Sequence, residues 1–372
     1  MEQLEFGDAL RTSKNAMPKE IASPLLNNGA TVLPSVTVNC YNLELRDGNG
    51  FIGDRANRQA FQQKLENCRQ LVCKGGRDPL GDTATEEMSK KQIDALLNGK
   101  NLEASALILG AIEEYAAEFA YVLQTFLKDE RWKETQRIVV GGGLKDSAFC
   151  ELAIARAMVR LKSEGLMIEL VPIAHHPDDA GLLGAAHLMH SWMLNGYDGI
   201  LAVDIGGANI RAGVVETRLE EHSDLSKARV WKSHLWRYGD EPTSRKGAVA
   251  KLTDMLGKLI DKAVKENFSL APLIGVACPG VIEADGSIAR GAQNLPGGNW
   301  ERDGFNLTNE LAQAFPKIGN HDTLVLMHND GVVQGLSQIP FVQDVKHWGI
   351  VTIGTGFGNT NMPPDKTIKK KG

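Results

Sequence analysis

Paired cysteines are missing from this 372-residue sequence. Its five, Cys40, Cys68, Cys73, Cys150 and Cys278, are odd in number, scattered, and never spaced as CxxC. That excludes a strong zinc or redox signal, and buried or idle thiols are expected. No signal peptide is visible either: the opening MEQLEFGDALRTSK has no basic stretch followed by an apolar one, and none is expected. No apolar run reaches membrane-spanning length. The best candidate, Ala180 to Leu194, is broken by His187, His190 and Ser191. A cytoplasmic protein without a membrane partner is expected. A basic excess is also lacking: the net charge is -5, which disfavours general nucleic-acid binding. The short Lys366–Lys371 run reads as a solvated terminus.

What is present is a globular composition, 42% hydrophobic and 23% charged, on a chain long enough for two domains. Thr31–Val38 and Cys40–Leu45 are rich in β-branched and apolar residues and read as strands ending in the Asp47-Gly48-Asn49-Gly50 turn. From Arg55 to Phe126 the pattern is helical, with Leu102, Ala106, Leu109, Ile112, Ala116, Phe119, Ala120 and Leu123 at three- and four-residue spacing. The strand Arg137–Val140 runs into Gly141-Gly142-Gly143. A helix over 147–161, a strand over 167–172 and a small-residue helix over 180–192 follow. After the Gly196–Gly199 linker come strand 200–203, its hairpin partner 210–215, helix 246–267, strand 273–277, helix 307–315, strand 323–327 and strand 348–353. Alternation of this kind predicts an α/β fold.

Five segments carry chemistry. Asp204-Ile205-Gly206-Gly207-Ala208-Asn209 ends a strand in a glycine hairpin. Such backbone lets a phosphate approach closely, and Asp204 could hold a hydrated Mg²⁺. Gly354-Thr355-Gly356-Phe357-Gly358 is a second hairpin suited to the other side of a triphosphate. No helix follows it, so the dinucleotide fingerprint does not apply. Gly141-Gly142-Gly143-Leu144 allows a flat nucleoside against the backbone, or is simply a tight strand-to-helix turn. His328-Asn329-Asp330 ends a strand and opens a helix. Asp330 there is either a helix cap or, beside a sugar hydroxyl, a general base. Asn294-Leu295-Pro296-Gly297-Gly298-Asn299-Trp300, after Cys278-Pro279-Gly280, offers amides and an apolar face for a sugar, or a rigid Pro-Gly loop. His175 and His176 beside Asp178 and Asp179 read as a capped loop rather than a metal site.

Together these segments resemble the ROK family of sugar kinases and repressors, within the actin-like ATPase superfamily. Asp204–Gly213 resembles its DIGGTxxxxG motif. Cys278-Pro279-Gly280 and Asn294-Leu295-Pro296 with Trp300 resemble its sugar loops, Asn329-Asp330 its catalytic motif, and Gly354–Gly358 its second phosphate loop. Ile138–Leu144 is similar to the family's IVIGGGL strand and turn, and Asp178–Ala186 to its DDAGLIGAA helix. In that family the phosphate motif comes first and the GGG turn last. Here the order is reversed, which implies a circular permutation with the old ends joined through Asn195–Gly199. Three departures stand out. The zinc motif CxCGxxGC is absent, so no structural zinc is expected. The ExGH sugar motif is absent. Ala208 replaces the usual Thr, and Asp54 roughly aligns with the family's GCLE glutamate.

The resemblance implies a two-lobed, ribonuclease H-like actin-type α/β fold. Residues 1–195 with 345–372 would form the adenosine-side lobe, and 200–340 the phosphate and sugar lobe. It implies an ATP-dependent sugar kinase using ATP and Mg²⁺. Asp330 would be the base and Asp204 the metal carboxylate. Gly206, Gly207, Asn209, Gly354, Thr355, Gly356, Gly358, Gly141, Gly142 and Gly143 would hold the nucleotide. Asn294, Asn329, Asp330 and Gly280 would hold the sugar. A small-molecule sugar is the expected partner, nucleic acid is not, and a homodimer is compatible. The missing ExGH motif keeps open a catalytically weak sugar- or nucleotide-sensing protein. A DNA-binding repressor ranks last, given the acidic charge and the lack of a helix-turn-helix segment.

Overall fold

The computed structural model describes residues 27–363 except 74, 75, 144, 146, 242, 302 and 303. Lys74, Leu144 and the Lys366–Lys371 run therefore lie outside the described residues, as do residues 1–26. Along the chain come β1 (Cys40–Tyr41), α1 (Arg58–Cys73), α2 (Lys90–Leu97), α3 (Leu102–Leu127), β2 (Arg137–Gly142), α4 (Ala148–Ser163), β3 (Glu169–Pro172) and α5 (Pro177–Ala185). The second stretch holds β4 (Gly199–Ile205), β5 (Ile210–Glu216), β6 (Arg229–Trp236), α6 (Arg245–Lys265), β7 (Leu270–Cys278), α7 (Leu307–Ala314), β8 (Leu324–Asn329), α8 (Asp330–Leu336), β9 (Trp348–Ile353) and β10 (Phe357–Asn361).

Two five-stranded sheets organise the fold. One has the order β1-β10-β9-β2-β3, the other β8-β7-β4-β5-β6. In the first, β9 runs parallel to β2, Ile353 facing Gly142, although their residues are two hundred apart in the chain. In the second, β8, β7 and β4 are parallel, and β4 turns into β5 as an antiparallel hairpin. The fold is mixed α/β, with parallel strands covered on both faces.

Period-two alternation assigns each strand residue to a layer. Ile138, Val140, Val351 and Ile353 face a core with Phe61, Tyr115, Phe119 and Phe149 from α1, α3 and α4. Val139 and Ile350 point the other way, into a core shared with α5, α8 and the inner face of the second sheet, Ile200, Ala202, Ala277 and Leu326. Leu201, Val203, Ile274 and Val276 face α6 and α7 on the far side. Helices α5 and α8 therefore lie between the two sheets. Although α5 belongs to the first half of the chain, it packs against β4, β5 and β7.

Local signals set the helix starts. Ser89 and Gln92 form a reciprocal capping box for α2, and Asn101 accepts the Glu103 and Ala104 amides to open α3. The buried stripe of α3 is Ala104, Leu107, Ile108, Ala111, Ile112, Tyr115, Ala116, Phe119, Leu123 and Phe126. Each large side chain there contributes on the order of 1.5–3 kcal/mol by leaving water. The sequence reading placed Leu102, Ala106 and Leu109 on this face, but all three are exposed. The first turns of α3 are apolar on two sides, and contact with α1 and α4 selects the other one. Thr31–Val38 and Cys40–Leu45 also depart from expectation. Among the described residues they form the bridge of Val32 to Thr37 and the two-residue β1, not two full strands. Instead of a full ladder, Asn359 binds both backbone groups of Leu43, and Asn39 donates to Asn361.

Candidate active site at the carboxyl ends of the parallel strands

Three parallel strands of the second sheet end together. Asp204 of β4 lies opposite Ala277 of β7, and Cys278 lies opposite Asn329 of β8. Loops leaving this edge therefore converge, which is where ligands bind in open α/β sheets.

Asn329 links the parts. Its side-chain oxygen accepts the Gly331 and Val332 amides at 3.0 and 3.3 Å and so caps α8. Its amide nitrogen donates to the Gly280 carbonyl and to Asp330 Oδ1, both at 3.0 Å. Asp330 is thus held at the first turn of α8, recessed but still meeting solvent. Behind it, His328 accepts the Asn329 amide on Nδ1 at 2.7 Å, which leaves the proton on Nε2, 3.0 Å from the Ala30 carbonyl. Burial pushes this imidazole down to about 4, so it is neutral.

Asp204 is 6% exposed, and its carboxylate accepts no hydrogen bond among the described residues. It packs on α5 so closely that a Cβ on Gly181 would sit 2.6 Å from Oδ2. Burial, then the nearby Asp330 charge, pushes its carboxyl up to about 7, while Arg211 opposes. Arg211 itself pairs with Asp178 at the start of α5. Burial also pushes Asp330 up to about 6, against the Gly331 amide, its own backbone amide and the Asn329 side chain. The Cys278 thiol is raised by burial and then by both carboxylates. Asp330 is therefore poised near neutrality, as a general base requires. Magnesium is commonly held by one or two carboxylates with retained waters and substrate phosphates. The buried, unpartnered Asp204 beside Asp330 fits that pattern. His175 and His176 do not enter it: His176 accepts the Asp178 amide and caps α5.

The glycines of the three turns divide into two kinds. Around Gly207, Gly354 and Gly356 nothing lies within 4 Å of where a Cβ would stand, and Gly206 meets only the Asn209 carbonyl at 3.6 Å. None of these four has a positive φ. Both hairpins are closed by their own backbone, Gly206 N–H to the Asn209 carbonyl at 2.8 Å and Gly354 N–H to the Gly356 carbonyl at 3.0 Å. The fold does not need glycine there, and Gly207, Thr355 and Gly356 are exposed. Gly142, Gly280 and Gly358 differ. A Cβ on Gly142 (φ +78°) would meet the Ile353 carbonyl at 2.4 Å, on Gly280 (φ +107°) the Arg290 carbonyl at 2.5 Å, and on Gly358 the Thr352 hydroxyl, all too close. Gly141 is buried, and the Gly143 N–H donates to Ile353 at 2.6 Å. The strand-to-helix turn accounts for Gly142; at Gly143 a Cβ would make only an ordinary contact with the Ile353 carbonyl at 3.4 Å.

Asn294 is exposed on its loop and lies near the first hairpin through Tyr238, whose hydroxyl is 2.7 Å from the Gly206 carbonyl and 3.4 Å from that of Asn294. Trp300, expected to offer a stacking face, is 1% exposed and donates to the Pro296 carbonyl at 2.8 Å. It anchors the loop from below and cannot stack on a ligand. Asp54 is exposed on the turn Ile52–Ala56. Tyr238 and the Arg211–Asp178 pair were not assigned from the sequence. Tyr238 follows a strand whose pattern is weak, and the ion pair joins distant segments.

No protein-family model and no curated protein sequence matches the chain. Among solved structures it is similar to a Listeria monocytogenes protein provisionally named an N-acetylmannosamine kinase (24% identity, TM-score 0.31, 43% of this chain and 46% of that one). A provisionally named sugar kinase from Cytophaga hutchinsonii is 17% identical, with TM-score 0.31 over 44% of this chain and 48% of the other. An exopolyphosphatase from the same organism is 11% identical, with TM-score 0.20 over 48% and 51%. The chain spans about half the length of each. Among the described residues no helix is long and apolar enough to cross a membrane.

Proposed function

We propose that the chain is an ATP-dependent sugar kinase of the actin-like type, related to the ROK family with its segments circularly permuted. The observation that carries this reading is Asp330, a recessed carboxylate poised at about 6 beside the buried Asp204. The pairing of β9 with β2 and the separate β8-β7-β4-β5-β6 sheet support the permuted order. On this reading the described residues of 1–195 and 345–372 supply the adenosine side and 200–340 the phosphate and sugar side, except that α5 and residues 28–30 pack on the second sheet.

When bound, MgATP supplies the phosphoryl group and its charge-neutralising cation. Gly207 and Gly356 would present backbone amides to the phosphates, while Gly206 and Gly354, whose own amides close the hairpins, leave the approach free of side chains, with Asn209 and Thr355 at the hairpin tips. Asp204 would hold the hydrated Mg²⁺. The Gly141–Gly143 turn borders the adenosine. Asn294, Gly280 and Asn329 orient the sugar, and Asp330 takes the proton from its attacking hydroxyl. Such transfer proceeds mainly by positioning and charge stabilisation.

One feature favours a second reading, a catalytically weak sugar or nucleotide sensor. Where the ExGH motif would follow the second hairpin, Asn359 and Asn361 are buried and committed to Leu43, Asn39 and Thr135. Asp330→Asn separates the two readings. A positioned base contributes about 10²–10⁴-fold in rate. The kinase reading expects that loss in turnover across a sugar panel, with nucleotide and sugar binding retained. Equal turnover by wild type and Asp330→Asn removes Asp330 from the mechanism. Binding without turnover in wild type selects the sensor.

A further inference from the structure

Beyond the carboxyl end of α5 lies a second cavity of about 330 Å³, within the usual size of small-molecule sites. Val36, Met189, Leu225, Val342 and Trp348 give it an apolar wall. His187, on the turn Ala186–Leu188, also lines it. This side chain is 8% exposed and has no hydrogen-bond partner among the described residues. Burial, then the His175 charge, lowers its pKa to about 4, while Asp224 opposes. The imidazole is therefore neutral, with one donor and one acceptor unused. The ring nitrogens are not sealed in protein but open on the cavity, and no wall residue bonds to them among the described residues, so a ligand entering the cavity can take both.

At the exposed rim stands Asp224, the only carboxylate lining the cavity among the described residues. It accepts the Ser226 amide at 3.0 Å. Partial burial raises its pKa, but the Ser226 hydroxyl and amide outweigh that and hold it below the ordinary range. Among the described residues no lysine or arginine lines the cavity; its other polar lining is Ser35, His190, Ser191, Ser223 and Gln343. The site thus has an apolar middle, a neutral hydrogen-bonding group inside and a negative charge at its mouth.

We propose that this cavity is a second ligand site, taking a small aromatic amine whose ring carries a hydroxyl or N–H. The ring packs between Val36, Leu225 and Trp348, its polar edge binds His187, and its ammonium meets Asp224. Anionic aromatics are rejected by Asp224, and apolar rings without the polar edge leave His187 unpaired.

Three matched probes test this by calorimetric titration of the full chain without nucleotide, so the outcome is independent of the kinase reading. Tyramine has both polar ends, phenethylamine lacks the hydroxyl, and 4-hydroxyphenylacetate reverses the charge. Tyramine is expected to bind saturably, phenethylamine about tenfold more weakly, and 4-hydroxyphenylacetate not measurably. His187→Leu, apolar and of similar bulk, should bring tyramine to the level of phenethylamine. Asp224→Asn lies at the exposed rim and leaves the core untouched. It should weaken both amines about tenfold and leave their ratio unchanged. Absence of saturable tyramine binding, equal affinity for the three probes, or affinities that neither substitution alters would overturn the proposal.

Discussion

Replacing Gly207 and Gly142 by alanine should have opposite consequences, and the contrast tests the phosphate reading directly. At Gly207 a Cβ meets nothing within 4 Å and φ is not positive. Gly207→Ala should therefore keep or raise stability, by up to about 1 kcal/mol, because alanine restricts the unfolded chain. At Gly142 the left-handed φ of +78° costs about 1–2 kcal/mol for an L-residue. The Cβ would also stand 2.4 Å from the Ile353 carbonyl, and overpacking of that kind costs about 1–3 kcal/mol more. Gly142→Ala should thus lose roughly 2–5 kcal/mol in chemical denaturation. The response to nucleotide, rather than the stability itself, should rank the two the other way. A ligand that binds only the folded state at a hundred times its Kd stabilises it by about 2.7 kcal/mol. Wild type and Gly142→Ala should show a MgATP-dependent rise in melting temperature. Gly207→Ala, and Gly356→Ala by the same geometry, should lose it, since the added methyl faces the space a phosphate would enter. Folded Gly207→Ala and Gly356→Ala proteins that retain the full MgATP shift would refute the assignment of these hairpins.

Two further outcomes follow from Asp204 besides the Asp330→Asn test. Its folded pKa, about 7, lies above the value of 3.8 for a free side chain. The unfolded state therefore binds fewer protons between those values, and stability falls as pH rises through that window. For a shift of three units the loss is on the order of 4 kcal/mol. Asp204→Asn should flatten this fall in urea titrations from pH 4 to pH 8, and an unchanged slope would show that the carboxylate is not held neutral. Gly181→Ala would place a methyl against that carboxylate, 2.4 Å from Cγ, and should cost about 1–3 kcal/mol. Combined with Asp204→Ala, which vacates the space, the cost should be less than additive in a double-mutant cycle; strict additivity would mean that the two residues do not touch.

The sheets and the strand-end carboxylates were legible because doubly covered parallel strands read as apolar runs and their turns carry glycine. Arg229–Trp236 escaped notice for the opposite reason. It is an edge strand with Lys232, Ser233 and His234 exposed, so neither a continuous run nor a clean alternation marks it. Thr31–Leu45 had strand composition but not strand pairing. Pro34 offers no amide, and asparagine side chains from β10 replace much of the ladder. A tryptophan in a Pro-Gly loop reads the same whether it faces a ligand or plugs the loop from beneath, and burial decides for the second at Trp300.

The glycines show most clearly where sequence ends. All of them announce a turn, but a glycine can be required by the chain's own backbone or by something outside it. Spacing does not separate the two cases; the space around each Cα does. Gly142, Gly280 and Gly358 are accounted for by Ile353, Arg290 and Thr352. Gly207, Gly354 and Gly356 are accounted for by nothing in the fold, although a glycine in an exposed turn carries an entropic cost that alanine would reduce. Gly48, Gly239 and Gly257 are equally bare, so bareness alone does not mark a ligand; what sets Gly207, Gly354 and Gly356 apart is their place on two strand-end hairpins of different sheets, where a phosphate chain lying between them would be met by backbone alone.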